Sequence, residues 1–172
     1  MVIAYTRRLP QNGRRFFLQN MKILKFGGTS VGSIEALKAL VTIVKQEIAQ
    51  EKQIVLVVSA MGGLTNQLIA MAEGAVSGLD YASNLASIEK RHFAVVKELV
   101  PLQQQNQVLT TLKLYFQSLE DLMQGITALQ ELSPKTRDAV LSYGEKCSAF
   151  MISRILRADF ESVEFLNTCD VV

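Results

Sequence analysis

The chain has 172 residues, of which 49% are hydrophobic and 20% charged, and its formal net charge is +2. This is enough for one domain with a sizeable core, and no apolar run reaches the roughly 18 residues of a membrane-spanning helix, so we expect a soluble protein. Two cysteines without a CxxC spacing and a single histidine argue against a disulfide framework or a metal site, and favour a cytoplasmic location.

The excess positive charge lies in residues 1–20, which contain no acidic residue but four arginines: Arg7, Arg8, Arg14 and Arg15. Without these four, 14 of the 18 basic residues remain against 16 acidic ones. Three interpretations stay open: a disordered tail ahead of a natural start at Met21, an Arg-rich targeting peptide, and a nucleic-acid-binding arm. Because Pro10 and Gly13 interrupt any amphipathic helix, we expect a disordered basic leader over residues 1–20, and a folded portion over residues 21–172 that binds neither nucleic acid nor membrane.

Beyond the leader, strand-like and helix-like patterns alternate. KILKF predicts a short strand, and Ser33 is a suitable N-cap for the helix that follows. The run IVLVVSA, residues 54–60, is typical of a parallel strand buried on both faces. Gly62 and Gly63 then make a turn, and Thr65 opens a second helix. This order is typical of a parallel sheet with right-handed crossovers.

The middle of the chain, from about residue 80 to residue 131, shows no clear strand. Its apolar spacing predicts two core-facing helices that are separated near Pro101. His92 falls in the first of them. Because the only acid at helical spacing from it is Glu89, we expect an ordinary exposed histidine.

The last third of the chain begins with a strong helix signal, in which Ser133 is the cap and Pro134 the first helical residue. We expect the helix that follows to be broken near Gly144. The sequence SVEFLN, residues 162–167, then predicts a returning strand.

The sequence KFGGTS, residues 25–30, stands where the first strand ends. Backbone amides at the carboxyl end of a parallel strand favour an anion, and glycines let the backbone approach a phosphate closely. Lys25 can neutralise the charge. The order is neither that of a Walker A loop, in which the lysine follows the glycines, nor GxGxxG. On the residues alone, an anion site and a tight strand-to-helix turn both remain open.

Three separate segments carry a family resemblance: KFGGTSVGS (residues 25–33), VVSAMGGLTNQLI (residues 57–69) and SPKTRDAVLSYGEKCSA (residues 133–149). Each resembles a segment of the aspartokinase catalytic domain, in the same order, and aspartokinases are members of the amino-acid kinase superfamily. The helical middle and the SYGE sequence are most similar to aspartokinases fused to homoserine dehydrogenase. Another member of the superfamily, such as glutamate 5-kinase, is the alternative enzyme.

The resemblance implies an α/β fold, a three-layer αβα sandwich with a mainly parallel sheet, here truncated. It also implies a reaction, the transfer of the γ-phosphate of ATP to the side-chain carboxylate of L-aspartate, with magnesium shielding the phosphates. The product, 4-phospho-L-aspartate, is the first intermediate of lysine, threonine and methionine biosynthesis. A carboxylate is ionised at neutral pH and needs no general base. The full-length enzyme would be a homo-oligomer.

The resemblance also implies roles for individual residues, and no metal ligand among them. Lys25 would be catalytic, neutralising charge on the transferred phosphoryl group. The phosphate-binding residues would be Gly27, Gly28, Thr29 and Ser30. The residues that hold L-aspartate would be Ser59, Ala60, Thr65 and Glu145, with Glu145 receiving the ammonium group or ordering neighbouring groups. Simpler roles remain open: an exposed strand end for Lys25, a turn residue and a helix cap for Ser59 and Thr65, and a solvated helix acid for Glu145.

The resemblance covers only part of an aspartokinase. In the family, later segments supply the glycine-rich nucleotide region, an arginine for the substrate α-carboxylate and a catalytic aspartate, and the five residues after Asn167 cannot hold them. We therefore expect the acceptor side of a kinase, inactive by itself. The alternative is a non-catalytic remnant or binding module that keeps an anion pocket.

Overall fold

The computed structural model describes residues 2–5, 21–50 and 53–167. Within these residues there are four strands: β1 (Val2–Tyr5), β2 (Met21–Phe26), β3 (Gln53–Val58) and β4 (Val163–Leu166). The described helices are α1 (Ile34–Ala49), α2 (Leu64–Val76), α3 (Ala82–Leu99), α4 (Leu102–Leu129) and α5 (Pro134–Leu156). A 3-10 turn, Gly28–Val31, lies between β2 and α1. None of the described helices is both long and apolar enough to cross a membrane.

The four strands form one sheet in the order β2-β3-β1-β4. Strands β2 and β3 are parallel, with Lys25 opposite Val57 and Phe26 opposite Val58. Strand β1 is antiparallel to both β3 and β4, so β2, β3 and β4 run in one direction. The expected α/β class with a mainly parallel sheet is confirmed.

Strand β1 was not expected. The prediction of a disordered leader does not extend to Val2–Tyr5, whose backbone fills the space between β3 and β4 and pairs Ile3 with both Leu56 and Phe165. The arginines and the proline on which the prediction rested come later in the chain. The interpretations left open for residues 6–20 fall outside the described residues.

One face of the sheet carries the core. Ile54, Leu56 and Val58 are at most 2% exposed and pack with α1 and α5, whereas Val55 and Val57 on the opposite face are half-buried. The expectation that β3 is buried on both faces is therefore wrong for the second face. The face that carries Val55 and Val57 is open on β2, since Ile23, which pairs with Val55, is 66% exposed. Lys25 lies on this open face.

The helix starts follow the sequence. Ser33 Oγ accepts a hydrogen bond from the Ala36 amide at 3.2 Å, and Ser133 Oγ accepts one from the Thr136 amide at 3.1 Å. These bonds satisfy amides that a helix leaves free in its first turn. Helices α3 and α4 are separated at Pro101, as predicted. Helix α5 is continuous through Gly144, so the expected break is absent.

His92 is part of the core and not an exposed residue. Its side chain is fully buried, its ring meets that of Phe116 edge-on with centroids 5.3 Å apart, and Nδ1 donates to the Ile88 carbonyl at 2.8 Å. The pKa of His92 is lowered to about 4, chiefly by burial and in smaller part by nearby Arg91, while the hydrogen bond to the Ile88 carbonyl acts in the opposite direction. The prediction of a surface histidine overlooked that residue 92 shares a helix face with the buried Ile88 and Val96.

Candidate active site

Two glycine-containing turns lie side by side where β2 and β3 end. We call residues 27–32 the first glycine turn and residues 59–63 the second glycine turn. Because the two strands are parallel, adjacent and in register, both turns leave the sheet at the same edge. The amide of Ser59 donates to the Phe26 carbonyl at 3.1 Å, which extends the strand pairing to the start of the turns. This edge is where α/β sheets bind ligands.

The backbones of the two turns are in direct contact. A Cβ atom at Gly28 would lie 3.1 Å from the Ala60 carbonyl oxygen, and one at Gly62 would lie 3.2 Å from the Gly28 carbonyl oxygen. At Gly32 a Cβ atom would come within 2.9 Å of that same Gly28 oxygen. Close packing thus favours glycine at residues 28 and 62 and leaves no room for a Cβ atom at residue 32. Of the glycines in the two turns, Gly63 has the only positive φ, at 81°.

The first glycine turn offers open space beside its polar groups. Nothing lies within 4 Å of a Cβ atom built on Gly27, and the side chains of Thr29 and Ser30 are exposed. Among the described residues, these two hydroxyls form no hydrogen bond, and Lys25 has no ion-pair partner. The turn therefore combines accessible backbone and unused hydroxyls, and the cation Lys25 lies two residues before it, which suits a phosphate.

The second glycine turn presents a half-buried Ser59, a buried Ala60 and the first turn of α2. Helix α2 begins at Leu64, and its N-cap is Gly63, with no side-chain capping bond. Thr65 is therefore not a helix cap, which removes the simpler role that the sequence left open for it. Its exposed hydroxyl forms no hydrogen bond within the described part of the chain.

Helix α5 reaches the second glycine turn through Gly144. A Cβ atom on this glycine would lie 2.8 Å from the Ala60 Cβ atom and 3.3 Å from Leu68 Cδ1. This contact explains why a glycine is placed inside a long helix, where it otherwise weakens the helix. Glu145 is the next residue, is half-buried, and has no ion-pair partner among the described residues.

Arg91 is a residue of this region that the sequence analysis did not single out. Its guanidinium, projecting from α3, donates to the Gly62 carbonyl at 2.8 Å and to the Gly32 carbonyl at 2.9 Å. The sequence carried no signal for this role, because the two acceptors lie 29 and 59 residues away along the chain.

The structure thus brings together, around two touching turns, most of the residues that the sequence analysis singled out: Gly27, Gly28, Thr29, Ser30, Ser59, Ala60 and Thr65. Lys25 lies near the end of β2, separated from the first glycine turn by Phe26, and Glu145 follows the α5 contact. No group of three His, Cys, Asp or Glu side chains that could hold a metal ion occurs within the described residues.

Comparison with known proteins decides the family. The model of the amino acid kinase family matches residues 20–170. The chain belongs to the amino acid kinase family. Aspartokinase 1, chloroplastic, of Arabidopsis thaliana is 37% identical over 153 residues, which are 87% of this chain and 24% of that protein. The bifunctional aspartokinase/homoserine dehydrogenase of Buchnera aphidicola is 27% identical over 150 residues, 86% of this chain and 18% of that protein.

Among solved structures, the amino acid kinase fold is matched in E. coli aspartokinase III in complex with aspartate and ADP, with a TM-score of 0.66 and 27% identity. The match covers 81% of this chain and 29% of that one. The expected amino-acid-kinase-like αβα fold and the resemblance to aspartokinases are confirmed. The chain spans about a quarter or less of the length of the curated relatives it matches. Because relatives named aspartokinase and a relative named as bifunctional both match, the bifunctional subtype stays a prediction.

Proposed function

We propose that the chain provides the acceptor side of an aspartate kinase, which transfers the γ-phosphate of ATP to the side-chain carboxylate of L-aspartate. The observation that carries the proposal is the direct contact of the two glycine turns at the carboxyl edge of β2 and β3. One turn suits a phosphate and the other suits a small polar substrate, so their contact supports a site in which both meet. The E. coli relative solved with aspartate and ADP supports the same ligands.

On the phosphate side, Lys25 is the charge-neutralising group. It is exposed and has no ion-pair partner among the described residues, so its charge is available to a phosphoryl group. Nothing lies within 4 Å of a Cβ atom built on Gly27, so a phosphate can approach the backbone of Gly27 and its neighbour Gly28. The Thr29 and Ser30 hydroxyls are free to donate hydrogen bonds to it. Preorganised donors of this kind stabilise the charge that develops during phosphoryl transfer.

On the acceptor side, Ser59, Ala60 and Thr65 line the substrate. The hydroxyls of Ser59 and Thr65 are not used for capping or for other bonds within the described residues, which leaves them for a carboxylate. Glu145 follows Gly144 in α5 and is half-buried, and we assign it to the ammonium group of L-aspartate. A carboxylate oxygen of L-aspartate then forms the new P–O bond, while the bond from the γ-phosphorus to ADP breaks.

The nucleotide is ATP with magnesium, which supplies the phosphoryl group and shields its charge. The donor set around the first glycine turn fits phosphate oxygens, and it contains no carboxylate cluster for a magnesium ion within the described residues. We therefore assign this chain's residues to the phosphoryl group and the acceptor. A cytoplasmic location and a homo-oligomeric full-length enzyme belong to the same proposal.

The proposal is tested in two arms. In the first, the folded 172-residue chain is titrated with L-aspartate and, as a control, with D-aspartate, while its amide resonances are followed by NMR. In the second, acyl phosphate is trapped with hydroxylamine from the chain alone and from a chimera in which residues 20–170 replace the matching segment of Arabidopsis aspartokinase 1.

Shifts of the Ser59 to Thr65 amides with L-aspartate, together with activity in the chimera, would support the proposal. Binding without turnover in a folded chimera would favour a non-catalytic binding module instead. A folded chain that neither binds L-aspartate nor supports turnover would overturn the kinase assignment.

A further inference from the structure

One side chain, that of Arg91, forms hydrogen bonds to both glycine turns. Arg91 Nη1 donates to the Gly62 carbonyl at 2.8 Å, and Arg91 Nη2 donates to the Gly32 carbonyl at 2.9 Å. Each acceptor belongs to a different turn. The guanidinium therefore joins the turn that follows β2 to the turn that follows β3.

The chemistry of this joint is specific to arginine. A guanidinium presents its N–H donors in a rigid planar fork, so two carbonyls bound at once are held at a fixed separation. A lysine ammonium is a single point on a flexible stem and fixes no such separation. A hydrogen bond from a charged donor is also stronger than a neutral one.

The arginine is itself held in place. Its neighbour His92 is fully buried, with its ring against Phe116 and Nδ1 bonded to the Ile88 carbonyl, so this part of α3 is anchored in the helical core. None of the ion pairs between described residues involves Arg91. Among the described residues, no acidic side chain therefore competes with the two carbonyls for the Arg91 guanidinium.

The backbones of the two turns are closely packed beside the carbonyls that Arg91 binds. Cβ atoms built on Gly28, Gly32 and Gly62 would all come within 3.2 Å of backbone oxygens in or beside the turns. A small movement of one turn relative to the other therefore changes the distance between the Gly27 backbone and the segment from Ser59 to Thr65. Misplacement of reacting groups by about 1 Å can cost about 100-fold in rate.

We propose that Arg91 is a positioning residue, which sets the spacing between the first and second glycine turns and thereby between the phosphoryl group and the acceptor carboxylate. This proposal rests on the proposed kinase function for its catalytic consequence. Its structural part, the joining of the turns, can be tested without any activity.

The first experiment measures amide hydrogen exchange in the 172-residue chain and in its Arg91→Gln and Arg91→Lys variants. The reporters are the hydrogen-bonded amides of Ser30, Gly32 and Leu64 in and beside the two turns. The matched control is Arg137→Gln, which alters an exposed arginine of α5 that pairs only loosely, at 3.8 Å, with Glu73. We expect turn amides to exchange about 10-fold faster in Arg91→Gln, less so in Arg91→Lys, and amides of β3 and α5 to be unchanged.

The second experiment measures kcat and KM in the active chimera. We expect Arg91→Gln to lower kcat by about 10- to 100-fold, Arg91→Lys to restore part of it, and KM for L-aspartate to change less than kcat.

Unchanged exchange of the turn amides in Arg91→Gln, or an equal acceleration of all amides, would overturn the proposal, since Arg91 would then do nothing local. An unchanged kcat in an active chimera would overturn it as well. If the wild-type chimera is inactive, the kinase function fails, and the exchange pattern alone decides whether Arg91 holds the turns.

Discussion

A Cβ atom on Gly144 would lie 2.8 Å from the Cβ atom of Ala60, which is closer than two side-chain carbons can pack. Gly144 belongs to α5 and Ala60 to the second glycine turn, so the absence of a side chain at residue 144 lets the helix lie directly on the turn. Both residues are buried. The glycine serves packing between two distant segments.

The first prediction concerns this contact. Gly144→Ala should lower the free energy of unfolding by about 1–3 kcal/mol, because the added methyl group meets Ala60 and Leu68 in a well-packed core. Gly125→Ala is the matched control, since nothing lies within 4 Å of a Cβ atom at this exposed position of α4. It should be neutral or stabilising by up to about 1 kcal/mol. Urea unfolding measures both, and equal effects would contradict the packing argument.

The second prediction separates packing from ligand approach in the first glycine turn. Gly28→Ala should destabilise the chain, because its Cβ atom would lie 3.1 Å from the Ala60 carbonyl oxygen. Gly27→Ala should leave the melting temperature unchanged, since Gly27 has extended φ and ψ of −77° and 173° and open space around it. The methyl group added at residue 27 should still weaken nucleotide binding in the active chimera by about 10-fold, because it occupies the space offered to phosphate. Unaltered binding would place the phosphate elsewhere.

The third prediction tests the role of Lys25. Lys25→Ala should reduce turnover of the chimera by at least about 100-fold through loss of charge stabilisation, with the melting temperature within error of wild type. Lys113→Ala, at an exposed lysine of α4, controls for the loss of one positive charge and should leave turnover unchanged. Near-normal turnover in Lys25→Ala would remove this lysine from the site.

The fourth prediction concerns Thr65. Thr65→Val removes an exposed hydroxyl that does not cap α2, so stability should change by no more than about 0.5 kcal/mol. KM for L-aspartate should rise more than KM for ATP. Thr110→Val, in the exposed part of α4, is the control and should affect neither. An equal rise of both KM values would show that Thr65 supports the turn and not the substrate.

The fifth prediction is a pH dependence of stability that arises from His92. Its pKa is about 4 in the folded chain and about 6.5 when unfolded, so the unfolded state binds more protons between these values. The contribution of neutral His92 to the free energy of unfolding is therefore fully present above about pH 6.5, falls by about 3 kcal/mol as the pH drops to about 4, and changes no further below that. Urea unfolding of the wild type and of His92→Leu, at pH 4 to 7, measures it. Equal pH slopes for the two proteins would contradict the burial of a neutral histidine.

Much of the fold was predictable because its signals are local. Ser33 and Ser133 cap helices through atoms three residues away, and the run predicted as a strand over residues 54–60 forms β3, which ends two residues earlier, at Val58. The parallel direction of β2 and β3 also followed from the alternating pattern, whereas the contact between the two glycine turns was seen only in the structure. The motif residues of the candidate site were found through the family resemblance, which the match of residues 20–170 confirms at the level of the family.

The predictions that proved wrong concern residues whose contacts come from distant parts of the chain. His92 has charged neighbours in the sequence, which outweighed its helical spacing from Ile88 and Val96 in the prediction, and its packing against Phe116 shows that it is buried. Gly144 does not break α5, and its lack of a side chain is explained by Ala60, 84 positions earlier, which occupies the space that a side chain would need. Strand β1 forms by backbone pairing, which short-range patterns record poorly.

The sequence by itself determined the order of the elements from β2 onward, the capped helix starts and the aspartokinase motifs, because these rest on backbone preferences and short spacings. Only the tertiary structure decided that α3 sends Arg91 to both glycine turns and that α5 lies on Ala60. A hydrogen bond or a packing contact depends on distance in space, and across 29, 59 or 84 residues the sequence does not encode that distance in any local pattern.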